Sequence, residues 1–151
     1  MGNRRKAREC ALQILFQTEF NSADPAALAR TYWEHQKATS EVRAYGTWLV
    51  EQILGRRDEI DGAVQSASKN WRLARMAVVD RNILRIAVCE LLFEPVMAAA
   101  IVINEAIEIA KKYSGRESAV FVNGVLDAVG KSLRGPAAKP AARARGQRDP
   151  S

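Results

Sequence analysis

The 151-residue chain contains one histidine, His35, and two cysteines, Cys10 and Cys89. With so few soft ligands, and no two at metal-binding spacing, no zinc or cluster site can be assembled. Both cysteines fall inside apolar helical patterns, where a free thiol packs as a small hydrophobe. No secretory signal accompanies them, so a disulfide is not expected. The longest apolar run, Val96 to Ile103, falls far short of the roughly 18 residues that a membrane helix needs. The opening Met1-Gly2-Asn3-Arg4-Arg5-Lys6-Ala7-Arg8 leads into an amphipathic segment, unlike the pure apolar core of a signal peptide. Lys6 stands where a myristoylation motif wants Ser or Thr. These absences predict a cytoplasmic protein with no membrane contact.

Catalytic vocabulary is missing as well. The sequence has no glycine-rich phosphate loop, no Gly-x-Ser-x-Gly elbow and no His-Glu-x-x-His pair. His35 lacks the positioned partner that a general base requires and reads as a surface or helix-capping residue. Glu105 and Glu108, three apart on one helical face, read as a solvated face on which Glu108 pairs with Lys111 or Lys112 rather than as an acid and base. No cofactor is implied, and the chain is not expected to be an enzyme.

Proline is scarce where it would break helices: only Pro25 and Pro95 precede residue 136. Apolar residues recur at three and four rather than two, the period of an all-α protein. A first helix over Arg5 to Phe20 carries Ala7, Cys10, Ala11, Ile14 and Leu15 on one stripe, and Asn21 and Ser22 close it. Asp24 with Pro25 starts a second, through Leu28, Tyr32 and Trp33. Thr39 or Ser40 caps a third, ending at Gly55. A fourth carries Ile60, Ala63, Val64 and Ala67, and residues 71–76 form a connection. Val79 to Phe93 is apolar nearly all round, as a central helix would be, and Glu94-Pro95 ends it. The sixth turns Ile103, Ala106, Ile107 and Ala110 inward and Asn104, Glu105, Glu108, Lys111 and Lys112 outward, with Gly115 as terminator. The seventh presents Phe121, Val122, Val125, Leu126, Val129 and Leu133. One helical domain over residues 1–134 is expected. Residues 135–151, rich in Pro, Ala, Arg and Gly and without a large aliphatic side chain, read as a disordered basic tail.

The net charge of +6 is unevenly spread: residues 1–8 carry +4, residues 134–151 another +4, and the stretch between them −2. A slightly acidic body with two basic ends suits a polyanionic partner. Arg4, Arg5, Lys6 and Arg8 cluster at the start of the first helix, with Phe16 further along it. Arginine forks grip phosphate bidentately and stack on bases, and cations at a helix N-terminus oppose its dipole until an anion arrives. The same pattern also fits an ordinary solubilising terminus. Phe121, at helical spacing with Val125, fits either the core or a base-stacking surface.

Four blocks carry a family resemblance. They are Arg5-Lys6-Ala7-Arg8-Glu9-Cys10-Ala11-Leu12-Gln13, Val79-Asp80-Arg81-Asn82-Ile83-Leu84-Arg85-Ile86-Ala87, Val102-Ile103-Asn104-Glu105-Ala106-Ile107-Glu108-Ile109-Ala110-Lys111 and Phe121-Val122-Asn123-Gly124-Val125-Leu126-Asp127. In this order they resemble the NusB family of transcription antitermination factors. The resemblance implies seven helices in two packed bundles, three N-terminal and four C-terminal. It further implies binding to the boxA element of nascent ribosomal RNA, typically with NusE, a small-subunit ribosomal protein, and indirect contact with RNA polymerase and other Nus factors to prevent premature termination. Some members form homodimers instead.

By position, the resemblance assigns RNA binding to Arg4, Arg5, Lys6 and Arg8. It adds Phe16, which stands where many members have Tyr and so keeps stacking without the hydroxyl, and Glu117 and Phe121. Asp80 and Arg81 fall where members carry an acidic and basic pair facing NusE. A similar helical domain opens ribosomal RNA cytosine methyltransferases, but no S-adenosylmethionine-binding pattern occurs in these residues. A protein-interaction module with incidental basic ends is the other reading. Salt dependence of RNA binding separates it from the first.

Overall fold

The computed structural model describes residues 2–135. The residues expected to form the basic tail, from Pro136 onward, lie outside the described residues. Seven α-helices and one 3₁₀ turn make up the described chain: α1 Gly2–Phe20, α2 Pro25–Glu34, α3 Ser40–Gly55, α4 Arg57–Ala67, the 3₁₀ turn Leu73–Arg75, α5 Val78–Phe93, α6 Ala99–Tyr113 and α7 Arg116–Arg134. All seven expected helices are present, and their ends follow the local chemistry. The Asp24 carboxylate accepts from the Ala27 amide at 3.2 Å, with Pro25 at the first helical position. Of the two candidate caps for α3, Thr39 is the one used, accepting from the Val42 amide at 3.2 Å. Asn21 closes α1 by accepting from the Ala23 amide at 2.9 Å.

Gly115 both ends α6 and begins α7. Its amide reaches back to the Ala110 carbonyl at 2.8 Å while its backbone sits at φ +118°, a conformation closed to residues with a Cβ. α1 begins at Gly2 rather than at Arg5, so Arg4 and Arg5 project from a formed helix instead of an open end. Glu117 lies in the first turn of α7.

α1 packs against α2 and, more extensively, α3; α5 packs against α4, α6 and α7; the contacts of α1 and α3 with α5 join the two sets. The core runs through this junction, with Ile14, Leu15, Leu49, Ile53, Ile83, Leu84, Val88 and Leu126 all essentially excluded from water. Each such side chain contributes about 1.5–3 kcal/mol of burial free energy. α1 and α3 approach closely at Gly46, where a Cβ would stand 2.9 Å from Trp33 Cζ2 and 3.4 Å from the Ala7 carbonyl.

α5 is the central helix, buried without interruption from Asn82 to Leu91. That run includes Asn82, Arg85 and Glu90, so its polar positions face the interior and not solvent. Burial pushes the Cys89 thiol up to about 12, leaving it a protonated, inert packing group. Cys10 is likewise buried and free.

Candidate nucleic-acid interface

The basic residues that open α1 do not form a uniform arm. Arg8 is 3% exposed. Its Nε donates to both carboxylate oxygens of Glu90 at 2.8 and 3.1 Å, and its Nη1 reaches Glu105 at 3.4 Å. Tyr45 donates to the same Glu90 carboxylate at 2.5 Å, and burial together with that carboxylate's charge pushes the phenol's pKa up, keeping it a donor. Arg8, expected among the RNA ligands, is thus a structural ion-pair partner tying α1 to α5 and α6. The burial has a plain cause: position 8 shares the buried stripe with Ala11 and Leu15, spaced at three and four.

Arg5 is more open but forms a bidentate pair with Glu105 at 2.8 and 2.9 Å. Arg5's hydrogen bond lowers the Glu105 pKa, and Glu105 raises that of Arg5. Glu105, expected to point outward, is 3% exposed and is held by the two arginines. Glu108 does pair with Lys111, at 3.5 Å. Arg4 stacks its guanidinium 4.0 Å from the Tyr45 ring centroid and pairs loosely with Glu94 at 3.5 Å. Lys6 alone of the four is exposed with no carboxylate within salt-bridge reach among the described residues.

Beyond Lys6, the solvent side of α1 carries Gln13, Phe16, Gln17 and Phe20. Phe16 is 39% and Phe20 66% exposed, with ring centroids 4.9 Å apart. Gln13 accepts from the Tyr32 hydroxyl at 2.8 Å and donates to the Tyr113 hydroxyl at 3.4 Å. Tyr113 and Lys112 in turn hold Glu9, at 3.2 and 3.1 Å. The stripe therefore offers exposed aromatic faces, an amide and flanking cations, the elements that hold unstacked bases and phosphates. Gln13, Phe20, Tyr32, Lys112 and Tyr113 were not singled out from sequence. Phe20 was within reach, being four residues from Phe16; the others depend on α2 and α6 arriving beside α1.

Of the remaining expected residues, Phe121 is half-buried against the core and Glu117 is exposed at the start of α7. Asp80 and Arg81 do not pair with each other. Asp80 is 8% exposed and accepts from the Ser118 hydroxyl at 3.2 Å, while its other oxygen is buried without a partner. Arg81 holds Glu19 at 2.6 and 3.0 Å, and Arg85 holds the same Glu19 at 2.9 Å. His35 caps the end of α2 with its Nδ1 2.9 Å from the Thr31 carbonyl. Among the described residues no group of His, Cys, Asp and Glu is arranged to hold a metal ion, and no helix is long and apolar enough to cross a membrane.

Fold and surface together define an all-helical protein whose first helix presents an aromatic and polar stripe flanked by cations. The chain belongs to the NusB family, whose model matches residues 5–131. It is 47% identical over 133 residues to the transcription antitermination protein NusB of Bdellovibrio bacteriovorus, covering 85% of this chain and 96% of that one. The solved structure of T. maritima NusB superposes with a TM-score of 0.76 at 35% identity, covering 85% of this chain and 90% of that chain. A crystal structure of the antitermination factors NusB and NusE in complex with dsRNA matches with a TM-score of 0.79 at 28% identity, covering 87% of this chain and 98% of that chain.

Proposed function

We propose that this protein is a transcription antitermination factor that binds the boxA element of nascent ribosomal RNA together with NusE and so keeps RNA polymerase from terminating early. The observation that carries the reading is the likeness, along nearly the whole folded chain, to a NusB solved with NusE and dsRNA. The α1 stripe is the surface on which the reading rests. Phe16 and Phe20 supply stacking faces and Lys6 supplies charge, with Lys112, paired to Glu9, beside them; Glu117 and Phe121, in the first turns of α7, are further contacts of the proposed surface.

Asp80 and Arg81 lie on the side proposed for NusE, a basic ribosomal protein whose encounter an acidic body would speed. The protein acts by binding and not by catalysis, in the cytoplasm where the transcript is made.

Titration of a labelled boxA-like RNA against a scrambled one, with and without NusE and at two salt concentrations, tests this reading. Preference for boxA that sharpens with NusE is expected, and Lys6→Ala weakens binding without changing the melting temperature. Equal, salt-sensitive binding to both RNAs overturns the assignment.

A further inference from the structure

Three of the four cations that open α1 are occupied by the protein's own carboxylates, whereas the cations of one loop are not. Between Asp61 and Asp80 the sequence contains no acidic residue, yet residues 69–75 hold Lys69, Arg72 and Arg75. All three are exposed, and none has a carboxylate within salt-bridge reach among the described residues. In their midst Trp71 is 53% exposed, an unusual position for the largest apolar side chain.

The loop that displays Trp71 is a built feature. Gln65 donates to the carbonyls of Ser68 and Trp71, both at 3.0 Å, and accepts from the Leu73 amide at 2.8 Å. The Ser68 hydroxyl donates to the Trp71 carbonyl at 3.2 Å. Backbone groups that water could satisfy are thus held by side chains of α4 and the α4 terminus, fixing where the indole sits. Arg81 donates to the carbonyls of Ala74 and Met76 at 3.4 and 3.1 Å while gripping Glu19, so the loop is tied to the end of α1 that carries Phe20.

We infer that residues 69–75 form a second contact site for single-stranded RNA, in which a base stacks on Trp71 and Lys69, Arg72 and Arg75 take backbone phosphates. The site rests on the RNA-binding reading above and extends the footprint from the α1 stripe across the Glu19–Arg81 tie. Stacking on an exposed indole is indifferent to base identity, and a cluster of unpaired cations binds a polyanion without first breaking internal ion pairs. The loop therefore adds affinity for the strand beyond the recognised element rather than sequence preference.

The experiment uses the full chain with two labelled RNAs, a boxA-like core and the same core with single-stranded extensions. Trp71→Ala is expected to weaken binding of the extended RNA by about 5- to 100-fold and to affect the core much less. Trp71→Phe, which keeps a stacking face, recovers most of that loss. Replacing Lys69, Arg72 and Arg75 together by Ala makes the negative slope of log affinity against log salt shallower by about 2 for the extended RNA. Circular dichroism melts of each variant separate lost contacts from lost folding, and the charge variant and Trp71→Phe keep the test open should Trp71→Ala unfold. Wild-type affinity and slope in Trp71→Ala and the charge variant, with Lys6→Ala still weakened, overturn this inference alone. Loss of NusE affinity with RNA affinity intact also overturns it, assigning the loop to protein contact. Wild-type protein that binds neither RNA overturns the antitermination reading and this one together.

Discussion

Arg8 and Glu90 form an ion pair almost wholly removed from water, with 3% and 1% of their side chains exposed and the closest nitrogen and oxygen 2.8 Å apart. Removing Arg8 leaves Glu90 as an uncompensated buried charge, and removing Glu90 leaves Arg8 with only its longer contact to Glu105 at 3.4 Å. Arg8→Ala and Glu90→Ala are each expected to destabilise the fold by about 3–5 kcal/mol, measured by urea unfolding. The paired change Arg8→Met with Glu90→Leu costs less than either single variant, because no charge is stranded. A single variant that melts like wild type would sink the structural role assigned to Arg8.

Glu19 sits at the other crossing of α1 and α5, where the hydrogen bond from Arg81, reinforced by Asn82 and Arg85, pulls its pKa down to about 2 against the opposing effect of burial. An unfolded glutamate titrates near 4.3, so a lowered folded value favours the folded state above that pH. The stabilisation is lost as pH falls from about 4.5 towards 2. Unfolding measured across pH 2–6 is expected to show a shallower decline for Glu19→Gln than for wild type; parallel curves would remove Glu19 from the acid response.

The contact between α1 and α3 is limited by Gly46, whose added Cβ would meet Trp33 at 2.9 Å. Gly46→Ala is expected to cost about 1–3 kcal/mol through overpacking. Gly62, within α4 and with nothing within 4 Å of its added Cβ, gives the opposite sign. Gly62→Ala should stabilise by roughly 0.5–1 kcal/mol, since alanine loses less backbone entropy in a helix. Thermal melts of the two variants decide between close packing and incidental glycine use.

At the end of α7, Arg134 donates to the carbonyls of Leu91 and Glu94 at 3.0 and 3.2 Å and also to that of Met97, fastening the α5–α6 connection. Arg134→Ala is expected to lower the melting temperature by a few degrees, in line with roughly 1–2 kcal/mol for charge-assisted hydrogen bonds left unmade. Truncation after Gly135 should leave helicity and melting unchanged, because the removed segment has too few apolar side chains to contribute a core. A large drop on truncation would show that this segment packs.

Helix existence and number, and the starts of α2 and α3, were legible in the sequence because they depend on residues within a turn or two of one another. Asp24 with Pro25, Thr39 and Gly115 each announce a boundary by local chemistry alone. The long exposed faces and the central character of α5 follow from apolar spacing in the same way.

The assignment of charges to roles was not legible, since it depends on what stands opposite. Arg8 and Lys6 lie two residues apart in the same basic run, yet the helix turns one toward Glu90 and the other to solvent. Glu105 reads as a surface residue until α1 brings Arg5 and Arg8 to it. From sequence Trp71 is only part of a connection, and its display depends on Gln65 and Ser68 holding the loop.

The sequence by itself determined seven helices, the starts of α2 and α3 and the concentration of positive charge at the chain's first residues, all set by short-range propensity and periodicity. Only the tertiary structure decided which of those charges remain free for a partner. A buried carboxylate from a distant helix neutralises an arginine more strongly than any neighbour in the chain, and distance through space, not along the sequence, sets that interaction.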